Sequence, residues 1–222
     1  MSTAPVWLFD LDDTLHHASA HIFPHINRSM TDYIMQHLAV DEGQANALRT
    51  DYWHRYGATL LGLMRHHGTD PAHFLHETHR FDQLHNMVVF DRALRHSLKR
   101  LPGRKIVFSN GPSAYAHAVL TIMGLHRSID NVFAIEQMRL QPKPGHHAFR
   151  RLLVDHKLQA SRCILVEDSL ANLKAAKRLG MRTVWISRAS GCPAYVDAKF
   201  SSVLALPRAL NRFGFNGRVS GA

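Results

Sequence analysis

The sequence has little cysteine and no long apolar run. Cys163 and Cys192 are its only cysteines; they lie far apart and form no CxxC pair, which argues against a disulfide framework and a structural zinc site. No apolar stretch approaches the ~18 residues that a membrane span requires. The N-terminal residues lack a basic segment and reach an aspartate too early for a signal peptide. We therefore expect a cytoplasmic protein that does not insert into membranes.

The sequence also lacks a basic run with interleaved aromatic residues, although its formal net charge is +10. Residues 16–85 carry five Lys or Arg against seven Asp or Glu, and the remainder carries 22 against 10. The basic residues of the remainder are scattered along predicted helices, as on solvated helix faces. We therefore expect a small anionic partner rather than a nucleic acid. The sequence gives no indication of oligomeric state.

Five short apolar runs have the composition of buried parallel strands. They lie at residues 6–9, 106–108, 132–135, 163–166 and 183–186. Three segments between them are predicted to be helices, at residues 113–123, 145–157 and 169–179, and Gly124 and Gly180 stand where C-terminal caps are expected. This alternation predicts an α/β fold with a parallel sheet. A final edge strand is predicted at residues 203–206, before Pro207.

Residues 16–85 interrupt this alternation and have the pattern of several helices, with breaks that include Pro24 and Gly57. The segment differs from the rest of the chain in its charge balance and holds 12 of the 18 histidines. We interpret it as an α-helical cap domain inserted after the first strand. Residues 1–15 and 86–211 then form the catalytic core, and residues 212–222 are predicted to be a flexible tail.

Polar residues follow four of the predicted strands. They are Asp10, Asp12 and Thr14 after the first, Ser109 and Asn110 after the second, Lys143 after the third, and Glu167 and Asp168 at the end of the fourth. Each group alone fits an ordinary turn. Because parallel strands present their carboxyl ends at one edge of a sheet, we expect the four groups to converge there. Together and in this order they favour an active site.

These motifs resemble those of the haloacid dehalogenase superfamily over nearly the whole chain. The first motif matches Asp10, Asp12 and Thr14, the second Ser109, the third Lys143 and the fourth Glu167-Asp168. The resemblance implies a Rossmann-like core with the active site at the strand ends. It also implies that the main-chain carbonyl of Asp12 contributes to a metal site.

The chemistry of these residues supports phosphate transfer. A carboxylate that attacks a phosphate dianion is repelled by roughly 9 kcal/mol at an effective dielectric constant of about 20 and a separation of ~3.5 Å. Mg²⁺ cancels such charge, and Asp10 and Asp168 are its best ligands, with Glu167 either a further ligand or a strand-end residue. Lys143 adds a point charge, while the Ser109 hydroxyl and the backbone around Asn110 complete a phosphate cradle.

Asp12 lies two residues beyond Asp10, and in an extended segment this spacing puts both side chains on one side. We therefore predict Asp10 as the nucleophile and Asp12 as the general acid and base, a role that contributes ~10²–10⁴-fold. The dehalogenases of this superfamily need no metal and lack an acid–base aspartate at the position of Asp12. A sugar phosphomutase keeps that aspartate, so the sequence leaves phosphatase and mutase open.

The segment 51–68, together with the DLDDTLH start, resembles the pyrimidine 5′-nucleotidase branch of the superfamily. This resemblance implies UMP and CMP as substrates, with Tyr52 or Tyr56 stacking the base and Arg65 meeting a second polar or anionic group. The same aromatic residues fit ordinary helix packing. A sugar phosphate or phosphoglycolate is the alternative substrate, and a nucleic-acid-binding or scaffolding protein that keeps the fold is the alternative without catalysis.

Overall fold

The computed structural model describes residues 4–213 and contains one sheet of six parallel strands. The strands are β1 (Val6–Phe9), β2 (Arg104–Phe108), β3 (Asn131–Phe133), β4 (Cys163–Glu167), β5 (Arg182–Ile186) and β6 (Ala198–Phe200). All residues of β1 and β4 are buried, as expected for continuous apolar runs in a parallel sheet covered on both faces.

The strand order is β3-β2-β1-β4-β5-β6. β1 therefore lies between β2 and β4, with Val6 in register with both Arg104 and Cys163. The chain proceeds from β1 to β2 and β3 on one side, and then crosses to β4, β5 and β6 on the other. Such a reversal creates a crevice at the carboxyl ends of the central strands, where ligands bind in open α/β sheets.

Nine α-helices lie within the described residues. They are α1 (Ala18–Leu38), α2 (Glu42–Tyr56), α3 (Thr59–His67), α4 (Pro71–Thr78), α5 (Leu84–Met87), α6 (Leu94–Lys99), α7 (Ser113–Ile122), α8 (His146–Asp155) and α9 (Leu170–Arg178). The helices α7, α8 and α9 match the three predicted from the sequence. Gly124 and Gly180 follow α7 and α9 with φ of 66° and 83°, the left-handed conformation that glycine adopts at helix ends.

The described chain forms two compact units, one made of residues 4–17 and 89–213, the other of Ala18–Val88. The second unit contains α1 to α5. Its longest helix, α1, continues through Pro24, where the sequence predicted a break. Pro24 lies near the start of the helix on its exposed side, so water can satisfy the carbonyl group that loses its hydrogen bond.

The predicted strand at residues 203–206 is wrong. Val203–Phe213 is a 3₁₀ helix, and β6 lies just before it. The buried residues of this segment include Val203, Leu206 and Leu210, and their spacing of three and four is helical rather than alternating. The predicted tail lies outside the described residues except for its first two residues. None of the described helices is both long and apolar enough to cross a membrane.

Candidate active site

The four predicted groups lie at the carboxyl ends of the central strands. Asp10 follows β1 and its N–H donates to Val166 O of β4 at 3.0 Å, and Ser109 follows β2 and its N–H donates to Phe133 O of β3 at 3.1 Å. Both contacts extend the parallel pairing just beyond the strands. The sheet thus brings together residues separated by more than a hundred positions in sequence.

Lys143 is the buried cation of this site, with 2% of its surface exposed. Its Nζ donates to Asp10 Oδ1 at 2.7 Å, to Glu167 Oε2 at 2.9 Å and to Phe108 O at 2.6 Å. An ammonium group has three N–H donors, so these contacts use all of them. Burial lowers the pKa of Lys143, but the two carboxylates outweigh burial and the pKa is raised.

Asn110 holds the main chain of Lys143. Its Nδ2 donates to Lys143 O at 3.0 Å, and its Oδ1 accepts from Lys143 N at 2.8 Å. This pair of hydrogen bonds fixes the loop that follows β3 against the loop that follows β2. The side-chain amide of Asn110 is therefore engaged with the protein itself.

Glu167 is the anchor of the network and is 1% exposed. Its Oε1 accepts from the N–H groups of Asp168 and Ser169, each at 3.1 Å. Its Oε2 accepts from Lys143 and, at 2.9 Å, from Asn172 Nδ2 on α9. Burial raises the pKa of Glu167, but Lys143 and the hydrogen bonds outweigh it and the pKa is lowered. Glu167 is thus held as an anion.

Asp10, Glu167 and Asp168 form a carboxylate cluster in which one oxygen from each residue lies within 4.8 Å of the others. Burial, followed by the charge of Glu167, raises the pKa of Asp10 to about 8. Burial and the neighbouring Glu167 likewise raise the pKa of Asp168 to about 8. The main chain of Asp168 is fixed by Trp185 Nε1 of β5, which donates to its carbonyl at 2.8 Å. One lysine does not neutralise three clustered carboxylates.

Asp12 is not a member of this cluster and has two side-chain partners of its own. Tyr115 Oη on α7 donates to Asp12 Oδ1 at 2.6 Å, and His16 Nε2 lies 3.0 Å from the same oxygen. Burial and the charge of Asp12 raise the pKa of Tyr115, which keeps the phenol protonated as a donor. The intervening turn carries Asp13 at φ of 59°, a left-handed conformation that aspartate tolerates.

Ser109 is fully buried, and its Oγ accepts from Gly111 N at 3.0 Å. This contact leaves the hydroxyl hydrogen of Ser109 as a donor. Thr14 is also buried, but its Oγ1 has no hydrogen-bond partner among the residues that the structure describes.

The predicted specificity residues belong to the second unit. Tyr52 is 7% exposed and packs over Gly62, where an added Cβ would lie 2.2 Å from the Tyr52 ring; its hydroxyl lies 2.8 Å from His67 Nε2. These contacts favour a packing role for Tyr52. Tyr56 is partly exposed, with the Arg65 guanidinium 5.7 Å from its ring centroid and His66 Nε2 2.6 Å from its hydroxyl.

Sequence reasoning missed Tyr115, His16 and Trp185 as site residues. The spacing of four between Asp12 and His16 is a weak signal for a contact, since it recurs wherever a chain turns. Tyr115 lies 103 positions from Asp12, so only the completed sheet brings the two together. Asn172 on α9, one helical turn after Asp168, also belongs to the site, because its Nδ2 donates to Glu167 Oε2 at 2.9 Å.

Comparison with known proteins identifies a matching family model and a curated relative. Residues 6–180 match the family model described as haloacid dehalogenase-like hydrolase. Phosphate metabolism protein 8 of Saccharomyces cerevisiae is 22% identical over 191 residues, which are 79% of this chain and 59% of that protein. The chain thus spans less than two thirds of this curated relative.

Among solved structures, the fold is similar to a HAD phosphatase from Thermococcus onnurineus, with a TM-score of 0.66, 18% identity, and coverage of 93% of this chain and 97% of that one. It is also similar to L-2-haloacid dehalogenase from Xanthobacter autotrophicus, with a TM-score of 0.61, 15% identity and coverage of 94% and 99%. At these identities the likeness concerns the fold alone. The family match, which covers most of the chain and all four motifs, shows that this protein belongs to the haloacid dehalogenase-like hydrolase family.

Proposed function

We propose that the protein is a Mg²⁺-dependent phosphomonoesterase that acts through an aspartyl phosphate. The observation that carries this proposal is the presence of two separately held aspartates, two residues apart. Asp10 contacts Lys143, and Asp12 contacts Tyr115 and His16. Phosphate transfer needs both a nucleophile and an acid–base group, whereas the dehalogenases lack the second aspartate.

In the first step a carboxylate oxygen of Asp10 attacks phosphorus, and the bond from phosphorus to the leaving oxygen breaks. Asp12, protonated, gives its proton to the leaving alkoxide. In the second step the Asp12 carboxylate takes a proton from water as that water attacks phosphorus, and the bond to Asp10 breaks. Free phosphate leaves and both residues return to their starting states. Asp12 can serve in both steps because it gives up a proton in the first step and takes one back in the second.

The carboxylate cluster has the donors that Mg²⁺ prefers, which are hard oxygens with excess negative charge. Burial, together with the neighbouring Glu167, raises the pKa values of Asp10 and Asp168, and Lys143 offsets only part of this at Asp10. We assign Asp10, Asp168 and the main-chain carbonyl of Asp12 as the Mg²⁺ ligands. Mg²⁺ bound there would offset the repulsion between Asp10 and a phosphate dianion. Glu167 already accepts four hydrogen bonds, so its proposed role is to hold Lys143 and the Asp168 loop.

The phosphoryl group is proposed to accept hydrogen bonds from the Ser109 hydroxyl and from main-chain N–H groups of the loop after β2. Lys143 contributes through its charge, close to Asp10, because its three donors contact protein acceptors. Asn110 contributes by fixing the main chain of Lys143. Phosphate binding by Ser109, Asn110 and Lys143 stays a prediction.

The proposed substrates are pyrimidine nucleoside 5′-monophosphates, with the second unit as the cap that selects them. The core residues recognise only the phosphoryl group and cannot distinguish leaving groups. Of the predicted cap residues, Tyr56 and Arg65 form the more accessible pair. Sugar phosphates, phosphoglycolate and a phosphomutase reaction are the competing outcomes. We also propose that the protein acts in the cytoplasm.

A phosphate-release screen over nucleotides, sugar phosphates and phosphoglycolate, with and without Mg²⁺, tests this function. Free phosphate distinguishes hydrolysis from mutase chemistry. Asp10→Asn should abolish turnover without changing the melting temperature greatly, because the amide is a poor nucleophile of nearly the same shape. Asp13→Asn is the matched control, since asparagine also tolerates its left-handed backbone. Wild-type turnover in folded Asp10→Asn protein would reject the mechanism.

A further inference from the structure

We propose that Tyr115 and His16 are positioning residues that hold the carboxylate of Asp12 for proton transfer; this inference rests on the proposed phosphatase function. Both side chains meet the same oxygen, Asp12 Oδ1, at 2.6 Å and 3.0 Å. Asp12 Oδ2 makes no contact of this kind within residues 4–213. One carboxylate oxygen is thus fixed by the protein while the other is left for the leaving group and for water.

The two donors are held far more firmly than the residue that they contact. Tyr115 is 4% exposed, and its ring lies against the main chain of Gly111, where an added Cβ would be 3.1 Å from Tyr115 Cδ1. The His16 side chain is fully buried. Asp12 lies in the turn after β1 and has two side-chain torsions of its own. Without these contacts its carboxylate would sample several rotamers, and few of them would face the reacting oxygen.

The hydrogen-bond roles follow from the chemistry of the groups. A phenol that contacts a carboxylate donates its O–H, and the distance of 2.6 Å is that of a charge-assisted bond. For His16 to donate as well, its Nε2 must carry hydrogen, because the carboxylate oxygen only accepts. His16 Nδ1 is buried without a partner among the described side chains and main chain. The polar contacts of the imidazole are therefore made by Nε2, which lies 3.0 Å from Asp12 Oδ1 and 3.5 Å from Tyr115 Oη. These contacts couple the placement of the three side chains.

Loss of these contacts should impair proton transfer more than phosphate binding. A poor leaving group needs protonation as the bond to phosphorus breaks, whereas nitrophenolate leaves without it. Hydrolysis of the aspartyl phosphate needs a base whatever the leaving group was. Misplacement of Asp12 should therefore slow the release of phenol from phenyl phosphate in the first step. With p-nitrophenyl phosphate it should slow only the second step, the hydrolysis of the aspartyl phosphate.

The experiment compares Tyr115→Phe, His16→Leu and His16→Gln with the wild type on these two substrates. Tyr115→Phe and His16→Leu should each lower kcat for phenyl phosphate by at least about tenfold, a part of the ~10²–10⁴-fold that acid–base catalysis supplies, with little change in KM. On p-nitrophenyl phosphate both should give a burst of nitrophenol equal to the enzyme concentration, followed by a steady rate below that of the wild type. His16→Gln, which keeps an N–H near the position of Nε2, should recover part of the loss.

Tyr195→Phe is the matched control. The Tyr195 carbonyl accepts from Thr183 Oγ1 near the start of β5, at the opposite end of the strands from the site. A crystal structure of the Tyr115→Phe/His16→Leu double variant should show the Asp12 carboxylate displaced or in several conformers. An unmoved carboxylate overturns the inference even if one single variant fails to fold.

Two kinetic outcomes also overturn the inference while leaving the proposed function intact. One is a Tyr115→Phe enzyme as active as Tyr195→Phe. The other is an equal loss on both substrates with a raised KM and no burst, which would indicate a general structural defect. A folded wild-type protein that releases no phosphate from any substrate overturns the proposed function, and the inference with it.

Discussion

The charge balance of the site depends on a single residue, Lys143. It is the one cation in direct contact with both Asp10 and Glu167 within the described part of the chain. Removing one partner from a buried ion pair leaves the other charge without compensation, which is more costly than the pair itself is favourable. In the proposed mechanism, Lys143 therefore influences folding and catalysis through the same contacts.

Lys143→Met keeps the aliphatic stem but removes the ammonium group. We expect the free energy of unfolding of the metal-free protein to fall by about 3–5 kcal/mol, because two buried carboxylates lose their counter-charge. We also expect kcat to fall by more than about 100-fold, since an uncompensated Asp10 holds its proton more tightly. Urea denaturation and phosphate release measure the two effects.

Lys177→Met is the control for this substitution. Lys177 pairs with Asp197 at the surface, with 38% of its side chain exposed, and exposed pairs contribute only ~0–1 kcal/mol. Similar losses of stability in the two variants would show that the burial of Lys143 has no special energetic role.

At this scale the sequence predicted residue types better than contacts. Asp10, Asp12, Ser109 and Asp168 follow apolar strands, and parallel pairing alone places such positions at one edge. The partners of Asp12 could not be predicted in this way. The contact of Tyr115 with Asp12 depends on how α7 packs beside the sheet, and no local pattern in the sequence encodes that geometry.

Among the secondary-structure elements, the buried strands were the most predictable because their apolar runs are continuous and short. The helix ends at Gly124 and Gly180 were also predictable, since a left-handed residue strongly favours glycine. The segment Val203–Phe213 was not, because four apolar residues before a proline fit both an edge strand and a helical turn. In the folded protein every third or fourth residue of this segment is buried, which favours the helix over the strand.

Asp197 links the start of β5 to the segment before β6. Its Oδ2 accepts from Thr183 N at 2.8 Å and from Thr183 Oγ1 at 3.1 Å, and its Oδ1 accepts from Lys177 Nζ. Partial burial would raise the pKa of Asp197, but these hydrogen bonds outweigh it and the pKa is lowered from 3.8. The carboxylate form is thus favoured in the folded state.

Asp197→Asn should lower the free energy of unfolding by about 1 kcal/mol at pH 7, a modest value because the carboxylate is partly exposed. A lowered pKa stabilises the fold above the unfolded-state value and loses this contribution as pH falls through the folded-state value. The difference between wild type and variant should therefore be constant from pH 7 to about 5 and shrink below about 4. Thermal unfolding over this range measures it. A difference that grows on acidification would contradict the assignment.

For the molecule as a whole, the sequence predicted an insertion because charge balance and helical pattern change together after the first strand. It placed the insertion at residues 16–85, and the compact unit spans Ala18–Val88. The predicted and observed boundaries of the insertion differ by a few residues at each end. The observed boundaries follow from the hydrogen bond that His17 N donates to Val89 O at 2.8 Å, since both of these residues belong to the first unit. That contact ties the two ends of the insertion together inside the first unit.

Mg²⁺ should affect stability as well as activity. The pKa values of Asp10 and Asp168 are raised to about 8 in the folded protein. The fold therefore favours the protonated forms of these two carboxyl groups, and the metal-free protein should lose stability as the pH rises towards 8. Mg²⁺ must displace these protons, so its affinity should rise over the same range. At 100 times the dissociation constant it should add about 2.7 kcal/mol to the free energy of unfolding. EDTA should abolish turnover.

Thermal melts with and without Mg²⁺ at pH 6 and pH 8 test this coupling. Asp168→Asn should remove the stabilisation by Mg²⁺, whereas Asp155→Asn, which alters a surface pair with Arg151 on α8, should retain it. A Mg²⁺ effect that is larger at pH 6 than at pH 8, or full activity in EDTA, would contradict the proposed metal site.

Substrate choice is the remaining property of the whole molecule, and Tyr56 is its most specific test. If Tyr56 stacks the base, Tyr56→Ala should cost ~1–3 kcal/mol of differential binding. The value of kcat/KM should then fall far more for UMP than for phenyl phosphate, which has no base. Tyr56→Phe keeps the ring and should retain most of the preference. Steady-state kinetics on both substrates measure the difference.

Trp53→Ala is the control, because Trp53 lies on the same helix α2 and is 59% exposed. Trp53→Ala should change kcat/KM for UMP and for phenyl phosphate by the same factor if Tyr56 is the stacking residue. Equal losses on UMP and phenyl phosphate in Tyr56→Ala would mean that Tyr56 only packs against Arg65 and His66. If kcat/KM falls selectively for UMP in Trp53→Ala and not in Tyr56→Ala, Trp53 rather than Tyr56 is the residue that recognises the base. A clear preference for sugar phosphates in wild type would reject nucleotides while leaving Asp10 chemistry in place.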